Sequence, residues 1–423
     1  MPTLNVNNMP VPRGLVTRAT MSNGTLHPSP IAIHDTGRPN WGKWHDTPPN
    51  FNFLHPDVQA YIAKMVDTLV AQGRDHPSFK GICLHLTRHC LLWWGDERSG
   101  YNDYAVEAFA REKGLRIPID GTRPLRGRDY AKWLRANAWE DWIQWRCDRV
   151  TAFYARLAAK LASARPDLKL WINSFVPADV NHPDFIQPDY MSRANRACGL
   201  DAAALTRTIP NLILCQSIVP ADFRHLPANA YPSAAARERQ RDLDLQPGTY
   251  DLIAAAAYPW VNQHDRYWES AIGGKGALNT PWLTEMGWRV TTINPSGRSA
   301  LRHFVAPLRH TDVLGLSKGG FLIGTYGMED VLVPFVQAFR ALPVVRMTDV
   351  PNGPGGDVRF RHATVGGCDY FYLVNTGEAE QTVCVDFPSG LRNLVTGEPV
   401  VSGKVTLQPY ELRSYGGWSH PEK

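Results

Sequence analysis

From about residue 56 to residue 342, strand-length apolar runs alternate with amphipathic helical stretches; beyond residue 343 the helices stop. Strands separated by helices cannot pair as hairpins, and a helical crossover between strands makes a parallel sheet. The clearest helix covers 56–73, where Val58, Ile62, Met65, Val66, Leu69 and Val70 fall on one stripe. Further helices are expected at 104–113, 129–164 (as one piece or two), 234–243, 264–273, 298–310 and 331–342, with a short one ending near Leu205. Strands are expected at 80–87, 168–175, 211–218, 250–258, 281–286 and 319–326. Candidates at 31–34 and 14–17 complete a set of eight. The expected class is α/β, a (β/α)8 TIM barrel over residues 1–342. A doubly wound sheet would alternate too, but no glycine-rich phosphate loop follows an early strand.

After residue 343 short strands at 358–362, 370–375, 382–387, 393–395 and 405–407 are separated by Gly, Asn, Pro and Ser turns. This reads as a small antiparallel β-sandwich-like domain over 343–416. The tail 417–423 resembles a shortened affinity tag and is set apart from the fold.

Composition narrows the function. The 423 residues carry 45 basic and 40 acidic side chains, interspersed, for a net charge of +5. There is no basic arm, so nucleic acid is not an expected partner. No run approaches the roughly 18 apolar residues that a membrane span requires, so no membrane partner is expected. The N-terminus shows no basic-then-apolar leader, so the expected protein is soluble, either cytoplasmic or exported with its signal removed. A homo-oligomer is compatible with these features. Seven cysteines without a CxxC do not form a disulfide framework. The 14 Trp, 15 Tyr and 15 Phe are more telling, because several tryptophans fall in loops after strands, where a core does not need them. Flat aromatic faces in a cleft suit the C–H faces of sugar rings, so a carbohydrate is the expected partner.

The strongest single candidate for chemistry is Glu285, at the end of the 281–286 strand and between Trp282 and Trp288. Burying a carboxylate costs several kcal/mol unless it is paired, so this glutamate is expected to be either structurally paired or catalytic. In a barrel, functional residues gather at the carboxyl ends of strands. Those ends offer His34 and Asp35, His85, Asn173, Gln216, Tyr258 with Trp260, Glu285 with Trp288, and Tyr326. The loop after the 80–87 strand adds Trp94, Asp96, Glu97 and Tyr101.

These residues, with Asp75-His76-Pro77-Ser78-Phe79-Lys80-Gly81, Gly100-Tyr101-Asn102-Asp103-Tyr104, Ala257-Tyr258-Pro259, Thr284-Glu285-Met286 and the terminal 407–413 segment, resemble the retaining TIM-barrel glycoside hydrolases. The nearest likeness is to family 42 β-galactosidases and spans about residues 56–415. The resemblance implies a glutamate nucleophile ending strand seven, hydrogen-bonded by a strand-six tyrosine; Glu285 and Tyr258 match those positions. It also implies an Asn-Glu pair ending strand four, which is missing: the available positions read Asn173-Ser174 or Thr87-Arg88.

A two-carboxylate mechanism places its carboxyls about 5–5.5 Å apart when retaining and about 6.5–9.5 Å apart when inverting. Asp96 and Glu97, near Trp94 and Tyr101, are the candidate proton donors; an apolar setting there would raise a carboxyl pKa as a general acid needs. The bland alternative is a solvated loop pair. Asp103 or Asn102 is expected to cap a helix. Glu329, beside Asp330, reads as solvent-facing. His85, His89 and Cys90 do not make a metal site, because positions four apart on a strand lie about 13 Å apart. No metal or other cofactor is expected. The Trp139, Trp142 and Trp145 stripe reads as core, and Glu411 as a structural partner of Arg413.

Overall fold

The computed structural model describes residues 3–4, 30–39, 51–86, 92–95, 97–174, 184, 187, 189–217, 255–258, 298, 301–309, 312, 314–318 and 329–418. The chain divides into two units, one of residues 1–215 with 246–252 and the other of 216–245 with 253–423.

The first unit is parallel sheet and helix. Strand β1 (Thr3–Leu4) pairs parallel with β2 (Gly81–Leu86), which pairs parallel with β3 (Lys169–Ser174). Strand β4 (Leu212–Ser217), of which residues 212–215 belong to this unit, follows on the far side of β3. All six residues of β2 are buried, as expected of a strand covered on both faces. Its entry demands glycine: Gly81 has φ 131°, and a Cβ there would lie 1.8 Å from the Lys169 carbonyl oxygen.

Helix α1 (Pro56–Gly73) precedes β2; the His55 ring accepts the Asp57 N–H, and Pro56 opens the first turn. Between β2 and β3 lie α2 (Asp103–Lys113), α3 (Arg126–Asn137) and α4 (Trp139–Ala164). The 129–164 stretch is thus two helices. Trp142 and Trp145 are buried and stack at 5.2 Å, so these two members of the tryptophan stripe are core, while Trp139 is half-buried. Helices α5 (Tyr190–Ala197) and α6 (Ala202–Thr208) lead to β4; Asp201 caps α6 through the Ala204 N–H.

Arg165 ends α4 and closes the amino-terminal side of the sheet. Its guanidinium donates to the carbonyls of Arg74 at 2.6 Å and His76 at 3.0 Å and to that of Phe79, and pairs with Asp167. Asp167 also meets Lys80 at 3.3 Å. The loops entering β2 and β3 are therefore clamped together.

The 31–34 segment is not a barrel strand. It makes isolated antiparallel bridges, Ile31 to Phe51, Ile33 to Pro39 and His34 to Ser99. The reason is Asn102. Its side chain accepts the Ile33 N–H at 3.1 Å and donates to the Ile31 carbonyl, so this backbone is satisfied by a side chain instead of a neighbouring parallel strand. Asn102 occupies the cap position of α2 but makes no side-chain cap bond. Asp103 is no cap either; it is buried against Arg126, whose Nε donates at 2.7 Å.

In the second unit, β5 (Ala255–Tyr258) pairs parallel with β6 (Gly315–Lys318), with α7 (Arg302–Val305) and a 3-10 turn (Ala306–Arg309) between. Strand β6 precedes the expected 319–326 strand. Helix α8 (Glu329–Arg340) begins with exposed Glu329 and Asp330. Seven short strands follow: β7 (Thr348–Asp349), β8 (Val358–Val365), β9 (Cys368–Asn375), β10 (Gln381–Val385), β11 (Arg392–Asn393), β12 (Gly403–Leu407) and β13 (Leu412–Trp418). They form an antiparallel sheet ordered β11-β13-β9-β8-β7 and the pair β10-β12. Phe360, Phe371 and Leu373 from the first share one core with Val385 and Leu407 from the second, the packing of a small sandwich. Gly417 and Trp418, expected in the tail, instead end β13 and pair with Asp369 and Cys368 of β9. Glu411 accepts from Arg413 at 2.7 Å, as expected.

The molecule is therefore mixed α/β: parallel strands first, then antiparallel sheet. A closed barrel is absent among the described residues, and the strands expected at 14–17, 281–286 and 319–326 lie outside them.

A buried polar knot ties the sandwich to the segment before β6. Asp312 accepts from the Tyr372 hydroxyl and from the Met347 N–H, both at 2.5 Å. Burial pushes the Asp312 carboxyl above its usual range, against the pull of these two bonds. Tyr372→Phe should lower stability by about 1–3 kcal/mol, the cost of orphaning a buried acceptor. Asn102→Ala, which strips partners from two backbone groups, should cost about 2–4 kcal/mol. Urea melts of the two variants check both values; a change under about 0.5 kcal/mol contradicts the structural roles of Asp312 and Asn102.

Candidate functional site

Parallel register fixes which side chains meet at the carboxyl edge of the sheet. His85 on β2 is opposite Asn173 on β3. Both are buried, and Asn173 Nδ2 donates to His85 Nδ1 at 2.9 Å. That bond fixes the neutral tautomer with its proton on Nε2. Burial lowers the His85 pKa from 6.5 to about 4, so the ring stays neutral at physiological pH. Gln216 lies in β4 and Tyr258 in β5, each next to or at the carboxyl end. The strand register therefore brings His85 and Asn173 together.

A second cluster surrounds Asp35. Its backbone N–H bonds to the Arg98 carbonyl, which brings the Arg98 side chain to the same carboxylate. Arg98 Nε reaches Asp35 Oδ2 at 3.1 Å, Arg135 reaches it at 3.0 Å, and His34 Nδ1 lies 2.8 Å from Oδ1. Burial pushes the Asp35 pKa up, but the bonds from Arg98 and Arg135 and the neighbouring charges outweigh it, so the carboxyl sits below its ordinary range. Asp35 is a fixed anion, and its carboxylate is already held by two guanidiniums. Arg98 and Arg135 were not among the expected site residues. Nothing in local spacing marks them, since Arg135 is 100 residues from its partner.

The 92–102 loop corrects three expectations. Trp94 is not an open sugar platform; it is 3% exposed, with its edge on Phe53 at 4.4 Å and the Arg146 guanidinium 4.7 Å from its ring. Gly100 is required beside it, because a Cβ would fall 2.2 Å from the indole. Tyr101 is wholly buried, and its hydroxyl donates to the Glu97 carbonyl at 2.9 Å instead of facing a ligand. Glu97 itself is exposed, so the enclosing aromatic setting expected for a proton donor does not surround it. Arg146 accounts for the burial of Trp94 and shares the Glu97 carbonyl with Tyr101. A wholly buried cation needs partners, and it takes the indole face of Trp94 and the carbonyl of Glu97, at 3.2 Å. A lone arginine inside the apolar stripe of α4 was the legible signal for it.

Glu285, Asp96, Trp260, Trp288 and Tyr326 lie outside the described residues, as do His89 and Cys90 and the side chains of Gln216 and Tyr258. Among the described residues, no three His, Cys, Asp or Glu side chains are grouped as metal ligands, and no helix is long and apolar enough to cross a membrane.

No model of a known protein family matches the chain, and no curated protein matches it. Among solved structures, a catalytic mutant of a GH42 β-galactosidase from G. stearothermophilus is similar at a TM-score of 0.43 and 10% identity, over 94% of this chain and 87% of that one. An Anoxybacillus α-amylase is similar at a TM-score of 0.37 and 10% identity, over 91% and 70%. These are distant likenesses to glycoside hydrolases, and they assign neither an activity nor a catalytic residue to this chain.

Proposed function

We propose that this chain is a glycoside hydrolase, cleaving an oligo- or polysaccharide by a two-carboxylate mechanism in the manner of a β-galactosidase, on a closed (β/α)8 barrel over residues 1–342. The observation that supports it best is the buried His85–Asn173 pair at the carboxyl ends of neighbouring parallel strands. That edge is where α/β sheets bind ligands. With Nδ1 held by Asn173, His85 has Nε2–H to offer a sugar hydroxyl, and a neutral ring does so without introducing a buried charge.

In this reading Glu285 is the nucleophile, or the base if the reaction inverts, and Tyr258 hydrogen-bonds it. Asp96 donates the proton. Trp260, Trp288 and Tyr326 wall the sugar, while Gln216 and Asn173 bind hydroxyls. His34 and Asp35 contribute from the Asp35 cluster. No cofactor takes part.

One observation favours a second reading, a non-catalytic carbohydrate-binding barrel. The described parallel strands end on Leu4, Leu86, Ser174, Ser217, Tyr258 and Lys318, and none of these is a carboxylate.

Turnover on a panel of aryl glycosides and oligosaccharides separates the two. Glu285→Gln should lower kcat by about 10²–10⁴-fold while still binding sugar. If wild type and variant both bind and neither cleaves, the binding reading replaces the enzyme. His85 also predicts a pH effect. The unfolded chain protonates it below the ordinary 6.5, whereas the folded chain resists until about 4, so stability falls as pH drops through that window. The loss approaches about 3 kcal/mol at the acid end. Urea melts at stepped pH check it: His85→Gln should flatten this part of the profile, and an unchanged profile refutes the buried neutral ring.

A further inference from the structure

An open depression of ≈ 850 Å³ lies against the Asp35 cluster, within the first unit, and its lining includes Arg38, Arg98, Arg128, His34 and Asp35. Three arginines and one aspartate line it, and that aspartate is already bound by Arg98 and by Arg135, which is not among the lining residues. Arg38 has no ion pair among the described residues. Arg128 approaches Asp129 at 3.5 Å, but Asp129 is shared with Arg123 at 3.3 Å. The depression therefore carries surplus positive charge on donors whose planar forks match oxyanions. It is of the size that takes a whole small molecule rather than a lone ion. Leu125, at the start of α3, also lines it, and no side chain caps the first N–H groups of that helix, which adds positive potential on the same side.

We propose that this depression binds the carboxylate of an acidic saccharide, a uronate unit of the oligosaccharide, through Arg38 and Arg128 with Arg98 behind them. The sugar part of this assignment rests on the proposed glycosidase reading; the acidic part rests on the arginines alone. Asp35 acts as a positioning residue, holding Arg98 and Arg135 in place. Neutral sugars gain nothing from the Arg38 and Arg128 guanidiniums.

Calorimetry of the whole chain with trigalacturonic acid and with galactotriose tests it, using inorganic phosphate as competitor. The acid should bind more tightly than the neutral sugar. Raising the salt should weaken the acid alone, and phosphate should compete with it. The double variant Arg38→Ala/Arg128→Ala should bind the acid about tenfold less tightly, with galactotriose unchanged. Both arginines are exposed, so the variant should fold, and its circular dichroism should match wild type. Equal affinity for acid and neutral sugar, or an unaltered affinity in the double variant, overturns the assignment. Arginine-dependent binding of the acid without hydrolysis of any saccharide upholds the depression and defeats the glycosidase reading. Hydrolysis of neutral glycosides without arginine-dependent binding of the acid does the reverse.

Discussion

The Asn102 amide organises the front of the first unit. It joins Ile31 and Ile33 to the start of α2 by accepting one backbone N–H and donating to one carbonyl. The N–H groups of Gly100 and Tyr101 close onto the same Ile33 carbonyl. From that anchor the chain runs directly into His34 and Asp35, and the 97–101 turn swings Arg98 onto the Asp35 carboxylate. Without the amide, the Ile33 N–H and the Ile31 carbonyl would lose this buried partner. The depression and its arginines depend on this lacing, because Arg98 and Asp35 are joined by backbone pairing as well as by their side chains.

Behind this front, one buried arginine and two half-buried ones hold polar groups together. Arg146 fills the space between Trp94 and the Glu97 carbonyl, and Arg126 holds the buried Asp103. Arg165 gathers the carbonyls on the opposite side of the sheet. Each interaction costs desolvation, which is offset by pairing. The outcome is a clamped amino-terminal side and a 92–102 loop fastened against α4, with the carboxyl edge of β2 and β3 left to His85 and Asn173.

The fold was legible in the chain where periodicity is strong. Helix 56–73, the Gly81–Leu86, Lys169–Ser174 and Leu212–Ser217 strands, the tryptophan stripe of α4 and most of the terminal strands all follow from spacing. The His85–Asn173 pairing follows from register once the strands are placed. What could not be read was anything set by a distant partner. The 31–34 segment has strand-like composition, yet a side chain 69 residues or more away satisfies it. Trp94 and Tyr101 look like loop aromatics awaiting a sugar, yet Arg146 and the Glu97 carbonyl claim them. Aromatic content alone does not separate a binding wall from a core; the neighbouring buried arginine does.

The glycosidase proposal stands or falls on Glu285 working with a second carboxyl across a glycosidic bond. A crystal structure of the Glu285→Gln variant with a bound oligosaccharide decides it. Residue 285 should lie beside the anomeric carbon, with a second carboxyl about 5–9.5 Å away on the other side of the scissile bond. A bound sugar with no second carboxyl within about 10 Å of position 285 would contradict the two-carboxylate mechanism.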